Sequence, residues 1–331
     1  MHKRLLFFFL LGNSVTLFGQ VDPHFSQYYV YPSFLNPSLT GIFNGTTRFS
    51  AIYRNQWNAI STPFATKGVS ADFSTSKNIN VGVGIVNQTA GSGGYSFSTS
   101  HINIAYTGVK FGQEGFGRLV LGIQAGLIDR RFNPAKLSFG DQWNPVTGYS
   151  PFNPTSEVFQ NTSATSLDVG AGLLFYDANP NHKANFYMGG SIAHLTRPTE
   201  DFFSSSISRL PYRIIGHAGA RLSLSERFSI TPNALYLIQG NAKEVMVGAF
   251  GNYSLTEQHH LLIGANYRLN DALSPYLGFT LKTTLIGLSY DVTTSNLGRQ
   301  VNGTNAFEIS ISFFSPKKIK TPDIDFVCPR L

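Results

Sequence analysis

The charged residues of this chain are few, and their spacing points to paired charges inside a wall more than to a reaction centre. Only 13% of the 331 residues are charged, about half the share of a soluble globular domain. Arg48, Arg54, Arg213, Arg221 and Arg268, with Asp72, Asp168, Asp291 and Glu308, fall in extended stretches on the parity opposite to their apolar neighbours. Tyr53 and Asn55, for example, flank Arg54 on the apolar side. Alternate side chains of a strand point to opposite faces, so these nine are expected to face a common interior. There they would pair and fill the space, or line a water path. Catalysis has little support. His259-His260 would send its rings to opposite faces, which argues against joint metal ligation. No Gly-x-Ser-x-Gly elbow occurs. His101, His194 and His217 could meet a serine in space, as in a membrane hydrolase, a possibility that only their surroundings decide. Gly82-x-Gly84 lacks the third glycine and following helix of a dinucleotide site. The single cysteine, Cys328, allows neither an intrachain disulfide nor a cysteine zinc site. No catalytic, cofactor or metal residues are assigned.

The elements that must carry these residues are strands. Hydrophobic residues make up 42% and aromatics 14%, with 28 Phe, 15 Tyr and 32 Gly, yet the mean hydropathy is −0.04. After the first twenty positions no apolar run approaches the roughly 18 residues of a membrane helix, and apolar residues recur too regularly for disorder. The net charge of +7 is dispersed apart from Lys317, Lys318 and Lys320, so nucleic acid is not an expected partner. Met1 to Gly19 combines a basic start with the apolar run Leu5 to Leu11 and reads as a signal peptide.

From Thr46 onward, period-two alternation predicts fourteen strands at about 46–57, 66–74, 80–88, 95–109, 117–130, 166–176, 184–194, 212–223, 228–239, 242–253, 258–268, 272–281, 283–293 and 305–314. The apolar phase of 95–109 slips between Phe97 and Ile102. Connections after even-numbered strands are all short, centred for instance on Ser225-Glu226, Thr256-Glu257 and Lys282. The long ones, 131–165, 195–211 and 294–304, follow odd-numbered strands. Sorting of loops by parity is the mark of an outer-membrane β-barrel, with short periplasmic turns and long extracellular loops. The predicted fold is therefore an all-β transmembrane antiparallel barrel over 46–314, with aromatic girdles to which Trp57 and Tyr290 would belong.

Two regions outside the strands carry candidate partner-binding residues. Residues 20–45, expected as an irregular periplasmic segment, contain Pro23, Phe25, Ser26, Gln27, Tyr28, Asn36, Pro37 and Gly41. This segment would plug the lumen, dock a periplasmic partner, or pack as a tail against the wall. The loop 131–165 holds Trp143, Tyr149 and Phe152, which as exposed aromatics would bind protein or fold inward as a cover. Residues 195–211, with Phe202-Phe203, would lie on the same side. The basic tail 315–331 would end in the periplasm, solvated or docked to a partner.

Three stretches resemble one family. Asp22-Pro23-His24-Phe25-Ser26-Gln27-Tyr28-Tyr29 with Asn36-Pro37-Ser38-Leu39-Thr40-Gly41 resembles the N-terminal signature of the PorP/SprF proteins of the type IX secretion system. Arg54-Asn55-Gln56-Trp57 and Thr62-Pro63-Phe64-Ala65-Thr66 look like its next block. Ser289 to Leu297, Ala306-Phe307-Glu308-Ile309-Ser310 and the ending Cys328-Pro329-Arg330-Leu331 resemble its C-terminal block. Departures include Tyr29-Val30-Tyr31-Pro32 and Ser38-Leu39-Thr40 in place of the more usual residues. The resemblance implies a non-enzymatic barrel in the outer membrane of a Bacteroidota-type bacterium, without cofactor. Its implied partners are membrane lipid, periplasmic or ring proteins of the secretion and gliding machinery, and exported surface proteins with a C-terminal sorting domain. A porin-like channel for small solutes is the alternative reading.

Overall fold

The computed structural model describes residues 22–315 except 58–61, 76, 92, 113, 158, 160, 201–207 and 296–304. The expected leader, Phe202-Phe203 and the tail after Ser315 lie outside the described residues.

Fourteen long strands form the wall: β1 (Thr47–Gln56), β2 (Phe64–Phe73), β3 (Ile79–Ala90), β4 (Tyr95–Phe111), β5 (Gly117–Arg131), β8 (Ser163–Asp177), β9 (Ala184–Ala193), β12 (Arg213–Ser223), β13 (Phe228–Gln239), β14 (Ala242–Thr256), β15 (His259–Arg268), β16 (Ala272–Leu281), β17 (Thr284–Thr293) and β18 (Ala306–Ser315). Each pairs with its sequence neighbours in the wall, and β1 closes on β18 from Thr47↔Ser315 to Gln56↔Ala306. Two short hairpins, β6 (Trp143–Asn144) with β7 (Gly148–Tyr149) and β10 (Thr199–Glu200) with β11 (Ser208–Arg209), sit in the two longest connections. Among the described residues no helix is long and apolar enough to cross a membrane. Closure satisfies the backbone within the wall, which is what lipid demands. Pro232 and Pro275 lack an N–H, and next to each the ladder to one neighbour skips two residues.

One end carries the short turns 74–78, 112–116, 178–183, 224–227, 257–258 and 282–283, and the other carries all the long loops. The long-loop end also has three tight connections, at 91–94, 240–241 and 269–271. Outward side chains form two aromatic belts. Tyr53, Tyr212, Tyr236, Tyr267, Tyr290 and Phe307 lie toward the long loops, and Phe49, Phe73, Tyr106, Phe228, Tyr253 and Phe313 toward the turns. Aliphatic residues such as Ile123, Leu167, Ile263, Leu277 and Leu288 fill the band between and are outward-exposed. This is the exterior of a membrane-spanning barrel. Trp57 follows β1 at the long-loop side, with its ring 4.8 Å edge-on from that of Phe64.

The phase slip in β4 has a simple origin. Phe97 keeps the inward parity, is 2% exposed, and packs with Ile128 and Leu210 under the long loops. The true irregularity is a bulge between Tyr106 and Val109, nearer the turns. Residues 22–45, expected as a periplasmic segment, lie instead inside the barrel. Their side chains are almost all buried, with one helical turn (Pro32–Leu35) and one 3-10 turn (Pro37–Leu39).

Ile123, 60% exposed on the outer face near the middle of β5, reports on the lipid band. Ile123→Arg should lower stability by about 2–4 kcal/mol, measured by urea unfolding in liposomes; an unchanged midpoint would place this face in water.

Candidate functional site

The lumen segment is bound to the wall at four levels. Asp22 lies at the long-loop end. Its backbone N–H donates to Gln239 Oε1 (3.0 Å), its carboxylate meets His194 Nε2 (2.7 Å), and His194 Nδ1 meets Asp168 Oδ2 (3.1 Å). Arg130 and Arg213 approach the same carboxylate at 3.8 and 3.9 Å. Burial works against charge on Asp22, but His194, Arg213 and Arg130 hold its carboxyl well below the ordinary range. Burial alone would likewise keep His194 neutral, yet Asp22 and Asp168 push it up to about 9.

One level lower, Glu308 accepts from the backbone N–H groups of Ser26 (2.7 Å) and Gln27 (2.9 Å). Arg54 bridges Glu308 (2.5 Å) and Asp291 (2.9 Å), and Arg268 joins Asp291 at 3.1 Å and also bonds Asp271. Ser26 Oγ donates to Asp291 and accepts from Arg54 and Arg268. Gln27 Nε2 donates to Ser289, and Ser310 donates to Gln27 Oε1. Arg54, Asp291 and Glu308 are each at most 2% exposed. Isolated buried charges would be costly. Here Glu308 and Asp291 each have a guanidinium beside them, and the segment adds the Ser26 and Gln27 N–H groups and the Ser26 hydroxyl.

At mid-depth the chain lies close to bare backbone. Asn36 Nδ2 donates to the carbonyls of Leu173 (3.0 Å) and Gly190 (3.2 Å), and Tyr31 Oη donates to that of Val69 (3.1 Å). A Cβ on Gly84 would come within 1.9 Å of Tyr31 Oη, one on Gly172 within 2.0 Å of Asn36 Oδ1, and one on Gly122 within 2.2 Å of Ser38 N. These inward glycines are the groove into which the segment fits. At the short-turn end Arg48 pairs with Asp72 (2.5 Å), whose Oδ2 also accepts the Gly41 N–H (3.0 Å), and Asn80 Nδ2 donates to the Thr40 carbonyl (3.2 Å). Gly41 has φ +72° and packs against Asn80, so both its conformation and its surroundings require glycine.

Thus Arg48, Arg54, Asp72, Asp168, Arg213, Arg268, Asp291 and Glu308 all face the interior in three charge clusters, each of which holds the lumen segment, whereas Arg221 is half-buried and its Nε has no hydrogen-bond partner among the described residues. Pro23, Phe25, Ser26, Gln27, Tyr28, Asn36, Pro37 and Gly41, expected as partner-binding residues, are buried against the barrel's own wall and present no surface for docking. The histidines face this segment: His101 Nε2 lies 3.5 Å from Tyr31 Oη and His217 Nε2 3.1 Å from Asn36 Nδ2. Asp22 and His194 as an anchor escaped the sequence reading. The glycines on the inward parity of β3, β5 and β8 were the available sign of an occupied lumen.

The loop 132–162 has a different character. Trp143 pairs with Tyr149 across its hairpin. Phe152 is 93% and Trp143 58% exposed. The loop is ordered from within: Gln142 and Asn153 exchange side-chain to backbone hydrogen bonds, Asp141 accepts from Thr155 and Ser156, and Phe132 and Phe139 pack on Phe159.

The family model described as type IX secretion system membrane protein PorP/SprF matches residues 17–313. No curated protein matches the chain significantly. Similar solved structures include the toluene transporter TbuX of Ralstonia pickettii (TM-score 0.49, 8% identity, 86% of this chain and 92% of that one). Others are the toluene transporter TodX of Pseudomonas putida (0.47, 9%, 88% and 94%) and a FadL homologue of Pseudomonas aeruginosa (0.44, 11%, 89% and 95%).

Removing Arg54 leaves Asp291 and Glu308 short of compensation, so Arg54→Ala should cost about 3–5 kcal/mol, read as a fall in the unfolding temperature of the detergent-solubilised barrel. The Asp22–His194 anchor predicts a pH window. His194 is raised above its ordinary 6.5, so its stabilisation is complete below that value and lost as pH rises through about 9. Asp22 is depressed, so its contribution holds above its ordinary 3.8 and is lost as pH falls further. Thermal midpoints should therefore decline on the alkaline side, and His194→Gln should flatten that decline.

Proposed function

Since the chain belongs to the PorP/SprF family of type IX secretion system membrane proteins, we propose that it serves that machinery as a plugged binding barrel, contacting its protein partners through the loops. The barrel is an outer-membrane component of the secretion system, with its turns in the periplasm and its long loops outside. The observation that carries the reading is the filled lumen. With residues 22–45 bonded across the interior at four levels, the exposed features that suit a macromolecule among the described residues include the ordered outer loop with Trp143, Tyr149 and Phe152, and the periplasmic turns. Aromatic side chains on a prefolded loop bind with little ordering cost. An exported surface protein carrying a C-terminal sorting domain is the partner that fits the outer side, and ring proteins the inner. Conduction of small solutes as an open pore is disfavoured by the same plug.

Detergent extraction of the tagged protein from its native outer membrane should recover a secreted surface protein, and Trp143→Ala with Phe152→Ala should reduce that recovery at least tenfold while leaving the barrel folded. In planar bilayers the purified barrel should be silent. Steady conductance without a copurifying protein would overturn the proposal in favour of the channel.

A further inference from the structure

The lumen segment leaves a void against the wall. Between it and β14–β18, at the short-turn end, lies a cavity of about 290 Å3 walled by Tyr29 and Phe43 of the segment and by Phe250, Leu262, Leu285 and Phe314 of the strands. Arg48, Glu257 and Lys282 stand at its border. Elsewhere the inward faces of these strands are polar, as at Ser274, Ser289 and Ser310, in keeping with barrel interiors. An apolar recess reaching the turns is the kind of surface that proteins cover.

The chain itself supplies a cover. Strand β18 runs down to this recess, Ser312 and Phe314 line it, and residues 316–331 continue from Ser315. They read Pro-Lys-Lys-Ile-Lys-Thr-Pro-Asp-Ile-Asp-Phe-Val-Cys-Pro-Arg-Leu. Ile324, Phe326 and Val327 match the apolar walls, and Asp323 and Asp325 complement Lys282 at the border. At roughly 3.3 Å per extended residue, the eight residues from Pro316 to Asp323 allow a turn back into the recess. We propose that the cavity is the docking site of this chain's own C-terminal segment, with Ile324, Phe326 and Val327 against Tyr29 and Phe43. The tail would then wedge the lower half of the lumen segment in place from the periplasmic side. This reading is independent of the partner role argued above.

Cys328 is the sole cysteine, which makes a direct test possible on the full-length protein in detergent. Upon mild oxidation, Leu285→Cys should form an intramolecular disulfide with Cys328 at least tenfold faster than Lys183→Cys, which lies in a turn at the same end but outside the cavity. Equal rates, or no disulfide in either, overturn the proposal. Should Leu285→Cys fail to fold, judged by heat-modifiable gel migration, Thr280→Cys probes the same cavity. In a second readout, trypsin should cut after Lys317, Lys318 and Lys320 at least tenfold faster in Phe326→Asp than in the unaltered chain. Identical cleavage, or a copurified lipid occupying the cavity while the tail is cut freely, overturns it.

Discussion

Everything in this molecule follows from the need to satisfy the peptide backbone inside a hydrocarbon layer. A strand in lipid cannot leave its N–H and C=O groups unpaired. The β1–β18 ladder, ten residue pairs long, removes the edge that any open sheet would keep. Once closure is imposed, alternation does the rest. Every second side chain meets lipid, and the outward faces accordingly carry aliphatic residues between belts of Tyr and Phe. The remaining side chains are forced inward, whatever their polarity.

That second consequence creates the problem the N-terminal segment solves. A wall of fourteen strands encloses more room than its own side chains fill. The inward charges, taken alone, would need solvent or one another. The segment supplies backbone donors to Glu308 and Asp72, a hydroxyl to Asp291, Arg54 and Arg268, and a carboxylate to His194. Its close approach is possible because Gly84, Gly122 and Gly172 remove side chains where Tyr31, Ser38 and Asn36 come nearest. Plug and wall are therefore one packed unit.

The wall was readable in the sequence because period-two alternation is a local property: all fourteen strands lie within a few residues of the positions that alternation indicates. Arg54 and Glu308 could be given a direction by parity, for the same reason. Their pairing could not, since it depends on β1 meeting β18 around the closure, far apart along the chain. The segment 22–45 has no periodicity to read. Its prolines and aromatics are compatible with a plug, a tail or a docking arm, and only contacts with strands from every part of the wall distinguish them. Phe97 misled for a related reason, because an inward aromatic under a loop looks like a broken pattern when the loop is unknown.

The direction of the segment adds a constraint of its own. Thr46 joins it to β1 at the short-turn end, while Asp22 is held among Arg130, His194, Arg213 and Gln239 at the long-loop end. Withdrawal of the segment would break the Asp22 anchor, the Ser26 and Gln27 bonds to Glu308 and the Gly41 bond to Asp72. Each broken level removes a partner from wall charges: His194, Arg130 and Arg213 lose the Asp22 carboxylate, and Glu308 and Asp291 lose the Ser26 and Gln27 donors. The same charges that make a closed barrel difficult to fill make this filling difficult to remove.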